Sequence, residues 1–285
     1  MWSEENLCED LRALGLSEGM HVAVHASMRA IGPTEGGSDT LVRSLRRTLG
    51  KSGTLLVPTF TPEFFDPAES EAPPSIEEIE KLRSEIGVFD CEATPASQIA
   101  VGVFPEAVRR QPDAHRSDHP VCSFGAVGAL AESLTAHVPF HYPLGSDSPI
   151  ARLHRYKGWA VLIGVGHDAN AALHLAEVWA DVPYIHNGAR VKIGTDRWLT
   201  MQGRPGCTDG FSRIEPVLRQ ARIIHTGQVG NARAQLMRLE EMVSMAVAIL
   251  QGAGDSLLCD DPNCPTCRVA RRYTAESTYV TGHAV

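Results

Sequence analysis

The side chains best suited to proton transfer stand in one stretch: His167 and Asp168, then Asn170, His174, Glu177 and Asp181. The last four are spaced four, three and four residues apart, so on a helix they form a single polar stripe. Ala171, Ala172, Leu175, Ala176, Val178 and Trp179 fill the other positions. A His three residues before a Glu is a pairing suited to acid–base chemistry, because an imidazole ordinarily titrates near neutrality and a carboxylate can fix its tautomer. Two readings compete. Either the stripe faces solvent on an amphipathic helix, or the ionisable groups sit in apolar surroundings with a partner and a task. His167, His174 and Glu177 also invite a catalytic metal, yet HExxH is absent and Val178 stands where HxxEH requires a second His.

The elements that must position these groups follow from the patterning around them. Trp159 to Val165 is an apolar run of strand length, Gly164 and Gly166 permit a tight turn, and Asp168 is placed to cap a helix starting at Ala169. The turn fits G-x-G-x-x-A, but about twenty residues on, where a dinucleotide site places an acid, stands Tyr184-Ile-His-Asn187. What survives is a helix N-terminus suited to a phosphate or an oxyanion.

Upstream, residues 4 to 14 read as a helix stopped by Gly15, 21 to 25 as a strand, 38 to 49 as a helix stopped by Gly50, and 53 to 60 as a strand. That order indicates an α/β fold with a parallel or mixed sheet. Residues 61 to 75, rich in Pro and acids, read as a functional loop or lid. Helices are expected over 77–84, 97–110 and 129–136 and from Ser148-Pro149, a hairpin over 190–201, and helices over 212–221 and 232–251. No repeat or linker interrupts the chain, which reads as one domain over 1–285 with a Cys-rich appendix at about 255–285.

Composition narrows the function classes. A chain of 285 residues, 43% hydrophobic and 21% charged, is ordinary for a globular protein. Its net charge of -8 argues against nucleic acid and suits a cationic substrate. The start, MWSEENLCEDL, lacks the basic and apolar regions of a signal peptide, and no run is long enough to span a bilayer, so a cytoplasmic protein without membrane contact is expected. Of the seven Cys, three crowd into 259–267, where Cys264-Pro-Thr-Cys267 is a CxxC knuckle and Cys259 lies five residues upstream. In a reducing compartment this points to metal before disulfides, and the expectation is a structural zinc with Cys207 as the fourth ligand.

The segment GVGHDANAALHLAE resembles the signature of the aminoglycoside 3-N-acetyltransferase family, usually GVGHDxNTxLHxAE. Other segments fall in the family's order: HASMRAIG, GTLLVPTFT, RSDHPVCSFGAVG, PLGSDSPIARL and GCTDGFSRIEPVLR. The resemblance spans roughly residues 6 to 270, with Ala171 in place of the usual Thr and Ala26 in place of a Ser.

It implies a three-layer α/β/α fold unlike the GNAT acetyltransferases, and transfer of acetyl from acetyl-CoA to an amine of an aminoglycoside, at the 3-N position, or of a similar cationic amine. Carried onto this chain, it places the cosubstrate near Ser27, Arg29, Arg116, Ser117, Ser123 and Ser148, with Gly166 and Asn170 of the signature. Transfer is expected to be direct, with His174 taking the amine's proton, Glu177 or Asp168 orienting the imidazole, and the backbone at Gly166 and His167 facing the oxyanion. Glu63, Asp66, Asp181 and Asp209 are the candidates for binding a polycationic acceptor. A metal-dependent hydrolase and a non-catalytic amine-binding protein remain as alternatives, and a homodimer is left open.

Overall fold

Alternation along short apolar strands decides which layer each residue joins. The computed structural model describes residues 1–70 and 73–281, with side chains described through residue 275. In chain order its elements are α1 Glu4–Leu14, β1 His21–Ala26, α2 Met28–Ile31, α3 Ser38–Leu49, β2 Thr54–Pro58, α4 Ile76–Glu85, α5 Gln98–Val101, α6 Val103–Arg109, β3 His115–Arg116, β4 Phe124–Gly128, α7 Ala131–Thr135 and α8 Pro149–Arg155. They continue with β5 Trp159–Ile163, α9 Ala172–Trp179, β6 Gly188–Gly194, β7 Arg197–Gln202, α10 Glu215–Gln220, β8 His225–Val229, β9 Ala232–Arg238, α11 Leu239–Gly252 and α12 Pro265–Thr281.

Seven strands form one mixed sheet in the order β3-β4-β2-β1-β5-β9-β8, and β6 and β7 form a separate hairpin. The central strands β2, β1 and β5 run parallel, and the strands flanking them join antiparallel. Val22, Val24, Val57, Val161 and Ile163 point to one face, where they meet α1, α3 and α6 in a fully buried cluster. Ala23, Leu56, Ala160, Leu162 and Met237 point to the other, against α8, α9 and α11. Each large aliphatic side chain buried in this way contributes about 1.5–3 kcal/mol.

Three expectations change. The helix expected over 232–251 begins only at Leu239, because residues 232–238 are strand β9, paired with β5 through Val161↔Leu236. Apolar positions such as Leu236 and Leu239 suit either period, and covering the open edge of β5 decides between them. The helix expected over 97–110 is broken at Gly102, whose φ of +77° leaves the helical region. The signature helix starts at Ala172, not Ala169: residues 167–169 form a 3-10 turn, and Asn170 Oδ1, not Asp168, accepts from the first helical N–H. In the C-terminal region Leu257, Leu258, Cys259, Cys264, Cys267 and Ala270 are buried in the same core as α9. Residues 282–285 of that region lie outside the described residues. Among the described residues, no helix is long and apolar enough to cross a membrane.

Candidate active site

Parallel strands end their carboxyl edges on one side of a sheet, and ligand crevices form there. Here the edges of β1, β2 and β5 deliver His25 and Ser27, Pro58 and Phe60, and Val165 to one cavity of about 420 Å3. Asp168 and His174 complete that side, and residues 205, 206 and 208 form a facing wall. Gly164 makes the approach possible. With φ +67° it turns the chain where an added Cβ would sit 2.4 Å from Ala30 Cβ and 3.1 Å from Ala232 Cβ.

The polar stripe is buried through Asn170, His174 and Glu177, and Asp181, past the end of α9, is exposed. His174 and Glu177 are 6% and 5% exposed, one helical turn apart on α9, with His174 Nδ1 2.7 Å from Glu177 Oε2. The second carboxylate oxygen accepts from the Tyr184 hydroxyl at 3.1 Å. Phe211 packs edge-on against the imidazole, ring centroids 5.0 Å apart. With Nδ1 committed to the carboxylate, Nε2 is the nitrogen left for a ligand in the cavity. Burial, a carboxylate and an aromatic wall together fix one tautomer and one ring orientation.

His167 is fully buried and differently held. The Asn170 amide lies 3.3 Å from its Nδ1, while Nε2 has no hydrogen-bond partner. Burial holds its pKa below the ordinary imidazole value. His25, in the cavity floor, is pushed down to about 4 by burial and then by its proximity to His167, so near neutrality it is an uncharged imidazole. Its Nε2 is likewise unpartnered. Asp168 is exposed and, among the described residues, is the one carboxylate lining this cavity.

Ser27 also lines the cavity, while its hydroxyl accepts from Ala30 N at 3.2 Å as the cap of α2. Arg29 is exposed on α2. Gly166 lies on the turn between the cavity and a neighbouring cleft that also holds Glu215, Arg219 and Gln235. Arg116 is turned inward, donating to Thr59 O at 2.8 Å, to Ser123 Oγ at 3.0 Å and to Thr94 O, and burial and then Arg109 lower its pKa to about 10. Ser117 Oγ accepts from Phe124 N, and Ser148 Oγ caps α8 by accepting from Ala151 N. Asn170 is engaged with His167 and the start of α9. The polar side chains of these last four therefore hold the scaffold beneath the cleft.

The four acids expected to bind a cationic acceptor are dispersed. Asp66 is buried between Arg83 at 2.7 Å and Arg190 at 3.1 Å. Burial pushes its pKa up, but the bonds from Arg83 and Ala68 N and the charge of Arg190 outweigh that and hold it low. Glu63 is exposed and accepts from Ser97 Oγ. Asp181 lies past the end of α9, 3.4 Å from His186 Nε2, and Asp209 is exposed beside the facing wall.

Cys207, Cys259, Cys264 and Cys267 converge, with all four sulfur atoms within 4.8 Å of one another. A tetrahedral zinc–thiolate site requires sulfurs roughly 3.8 Å apart, as Zn–S bonds of about 2.3 Å dictate. Two backbone amides already point at sulfur: Cys259 N to Cys267 Sγ at 3.4 Å and Cys267 N to Cys264 Sγ at 3.5 Å. Burial pushes the Cys207 thiol up and that of Cys267 to about 12. Thiolates packed this closely repel one another, so such a cluster ionises as a whole only around a cation.

Tyr184, Phe211 and His25 are the residues that patterning did not single out. Tyr184 stands seven residues beyond Glu177, and a Pro-led turn folds it back; His25 ends a strand and opens the HASMRAIG segment without being assigned a role by it. A polar residue at the carboxyl end of a central parallel strand was the available signal for His25. Phe211 lies in the GCTDGFSRIEPVLR segment, which carries the resemblance but by itself gives the ring no role.

The model of the family described as aminoglycoside 3-N-acetyltransferase matches residues 23–251. The chain belongs to that family. It is 32% identical to aminoglycoside N(3)-acetyltransferase IV of Salmonella sp, over 87% of each chain. It is 30% identical to the aminoglycoside N(3')-acetyltransferase-like protein YokD of Bacillus subtilis (strain 168), over 86% of this chain and 90% of that one. The structure of AAC(3)-IVa as the apoenzyme superposes with a TM-score of 0.81 at 30% identity, covering 95% of this chain and 98% of that one. A family structure described as AAC-IIIb binary with CoASH superposes at 0.77 with 28% identity, over 88% and 96% of the two chains. The three-layer α/β/α architecture expected from the motifs is the one these relatives share.

Proposed function

We propose that this protein transfers acetyl from acetyl-CoA to an amine of an aminoglycoside, at the 3-N position, directly and in a ternary complex. The observation that carries the chemistry is the buried Tyr184–Glu177–His174 line opening on a cavity at the carboxyl ends of three parallel strands. An alkylammonium has no lone pair, so the acceptor must lose a proton before attack. His174 Nε2 takes it, and Glu177 stabilises the resulting imidazolium through Nδ1–H. The amine nitrogen bonds to the thioester carbonyl carbon, the C–S bond breaks, the imidazolium proton passes to the departing thiolate, and the remaining surplus proton on nitrogen leaves to solvent, giving amide, CoASH and one released H+. The neutral His25 and the turn after β5 flank the carbonyl, and Asp168 supplies the negative charge that a polycationic acceptor needs beside the base. CoASH and a gentamicin, named with family structures, support this pair of substrates. Incubation with acetyl-CoA, gentamicin or apramycin and a thiol reagent should give stoichiometric thiol and acetylated amine. Thiol release that ignores the amine, or none at all, overturns the reading.

Cys207, Cys259, Cys264 and Cys267 are the residues that would hold a structural zinc, which supplies a cross-link and no step of the reaction. Protein purified without added metal should contain about one equivalent, as a single four-ligand tetrahedral site requires; equally stable, metal-free protein would falsify the assignment. Four cysteines gathered as metal ligands fit a reducing compartment, and with it the cytoplasm.

A further inference from the structure

The four cysteines come from two places. Cys259, Cys264 and Cys267 belong to the C-terminal segment, whereas Cys207 comes from the loop after β7. That loop carries the wall of the His174 cavity: Pro205, Gly206 and Thr208, the immediate neighbours of Cys207, face the cleft. Its start is tied by Gly203 N and Arg204 N to Asn187 O at 3.0 and 3.1 Å, and its end continues into the turn that carries Phe211, the ring against His174. On its other side Cys207 shares a second cavity, of about 310 Å3, with Cys267, Tyr184 and Glu177. The cysteine cluster therefore lies behind the residues that hold the base, between the wall of the cleft and the helix α12 that packs on the Pro183–His186 turn.

Resting on the zinc reading above, we propose that the metal site is a positioning device for acetyl transfer: the bond to Cys207 sets the wall opposite His174 and keeps Tyr184 and Phe211 against the Glu177–His174 pair. A tetrahedral ion fixes its four sulfurs to within tenths of an ångström, far more tightly than a surface loop of this composition holds itself. Positioning at that level matters because a displacement of about 1 Å can reduce a rate on the order of a hundredfold. The central sheet does not depend on Cys207, so loss of that one ligand loosens the wall while leaving the fold in place.

The experiment compares the metal-loaded protein with Cys207→Ser and Cys207→His, measuring metal content, Tm, and kcat and KM for whichever of gentamicin and apramycin is turned over. The expected result for Cys207→Ser is a rise of about tenfold or more in acceptor KM with a fall in kcat, at little change in Tm, the scale that a displaced wall implies. Cys207→His, which restores a fourth ligand, should recover most of both. In wild-type protein reconstituted with Co2+, the thiolate-to-metal and d–d absorption bands should shift when gentamicin is added, because Cys207 adjoins the wall it touches. This readout requires neither turnover nor a folded variant. Wild-type protein that binds neither zinc nor Co2+ defeats the metal reading itself. Metal-loaded protein whose Co2+ spectrum ignores gentamicin, or a Cys207→Ser variant with unaltered kcat and KM, leaves the zinc in place and overturns the positioning role.

Discussion

His174 and His167 lie in one signature and are both buried, yet the fold treats them oppositely. His174 has a carboxylate at 2.7 Å, an aromatic ring against it and a free edge on the cavity. His167 has a neutral amide at 3.3 Å, no partner at Nε2 and burial that lowers its affinity for a proton. The geometry separates the two: His174 is hydrogen-bonded to an acid at the edge of the cavity, whereas His167 packs under the turn after β5, where burial favours its neutral form.

Substitutions at the two histidines and their partners test that contrast, beginning with the largest expected effect. His174→Ala should lower kcat by roughly 10²- to 10⁴-fold with acetyl-CoA affinity nearly intact, the usual range for a general base. The acid limb of the kcat–pH profile should vanish with it; an acid limb that survives in this variant and disappears in His167→Gln reverses the assignment. Glu177→Gln removes a hydrogen bond to a charged partner, about 1.5–3 kcal/mol, so kcat should fall by about ten- to a hundredfold. Near-normal turnover in this variant would mean that the carboxylate plays no part in holding or charging the imidazole. Tyr184→Phe leaves the pair but frees one carboxylate oxygen, and the loss should be about two- to tenfold in kcat.

The smallest effect on rate belongs to His167→Gln, whose consequence is expected in stability. His25, His119 and His167 all have folded pKa values lowered by burial, with His25 and His119 near 4 against an ordinary 6.5. The unfolded chain thus binds more protons at these sites, and their contribution to stability is full above pH 6.5 and is lost as the pH falls from there toward 4. Urea midpoints measured across that interval should decline with falling pH in the parent protein, and less steeply in His167→Gln. An unchanged slope would show that His167 is already charged or already solvated in the native state.

Legibility differed between the base and the acceptor wall for a physical reason. The His174–Glu177 contact follows the three-residue spacing of one helix, so spacing made Glu177 a candidate beside Asp168, and the structure puts Glu177 on the imidazole. Asp66 carries the opposite lesson. Its acid-rich loop suggested a surface for ammonium groups, but Arg83 and Arg190, from α4 and β6, already neutralise it. Its place in the fold makes Asp66 the anchor of the loop, and among the described residues Asp168 is the carboxylate left facing the cleft.

What the sequence by itself determined is what lies within a helical turn or a strand's alternation: α1 with its Gly15 stop, the βαβ start, the β6–β7 hairpin, the His174–Glu177 spacing and the Cys264–Cys267 knuckle. The ordered motifs also determined the family. Tertiary structure alone decided that Asn170, His174 and Glu177 of the polar stripe are buried, that residues 232–238 become a strand beside β5, that Tyr184 and Phe211 close on the pair, and that Cys207 meets three sulfurs from more than fifty residues away. Spacing specifies only neighbours that share one element's geometry. Partners from separate elements meet through sheet order and core packing, and those are properties of the whole chain.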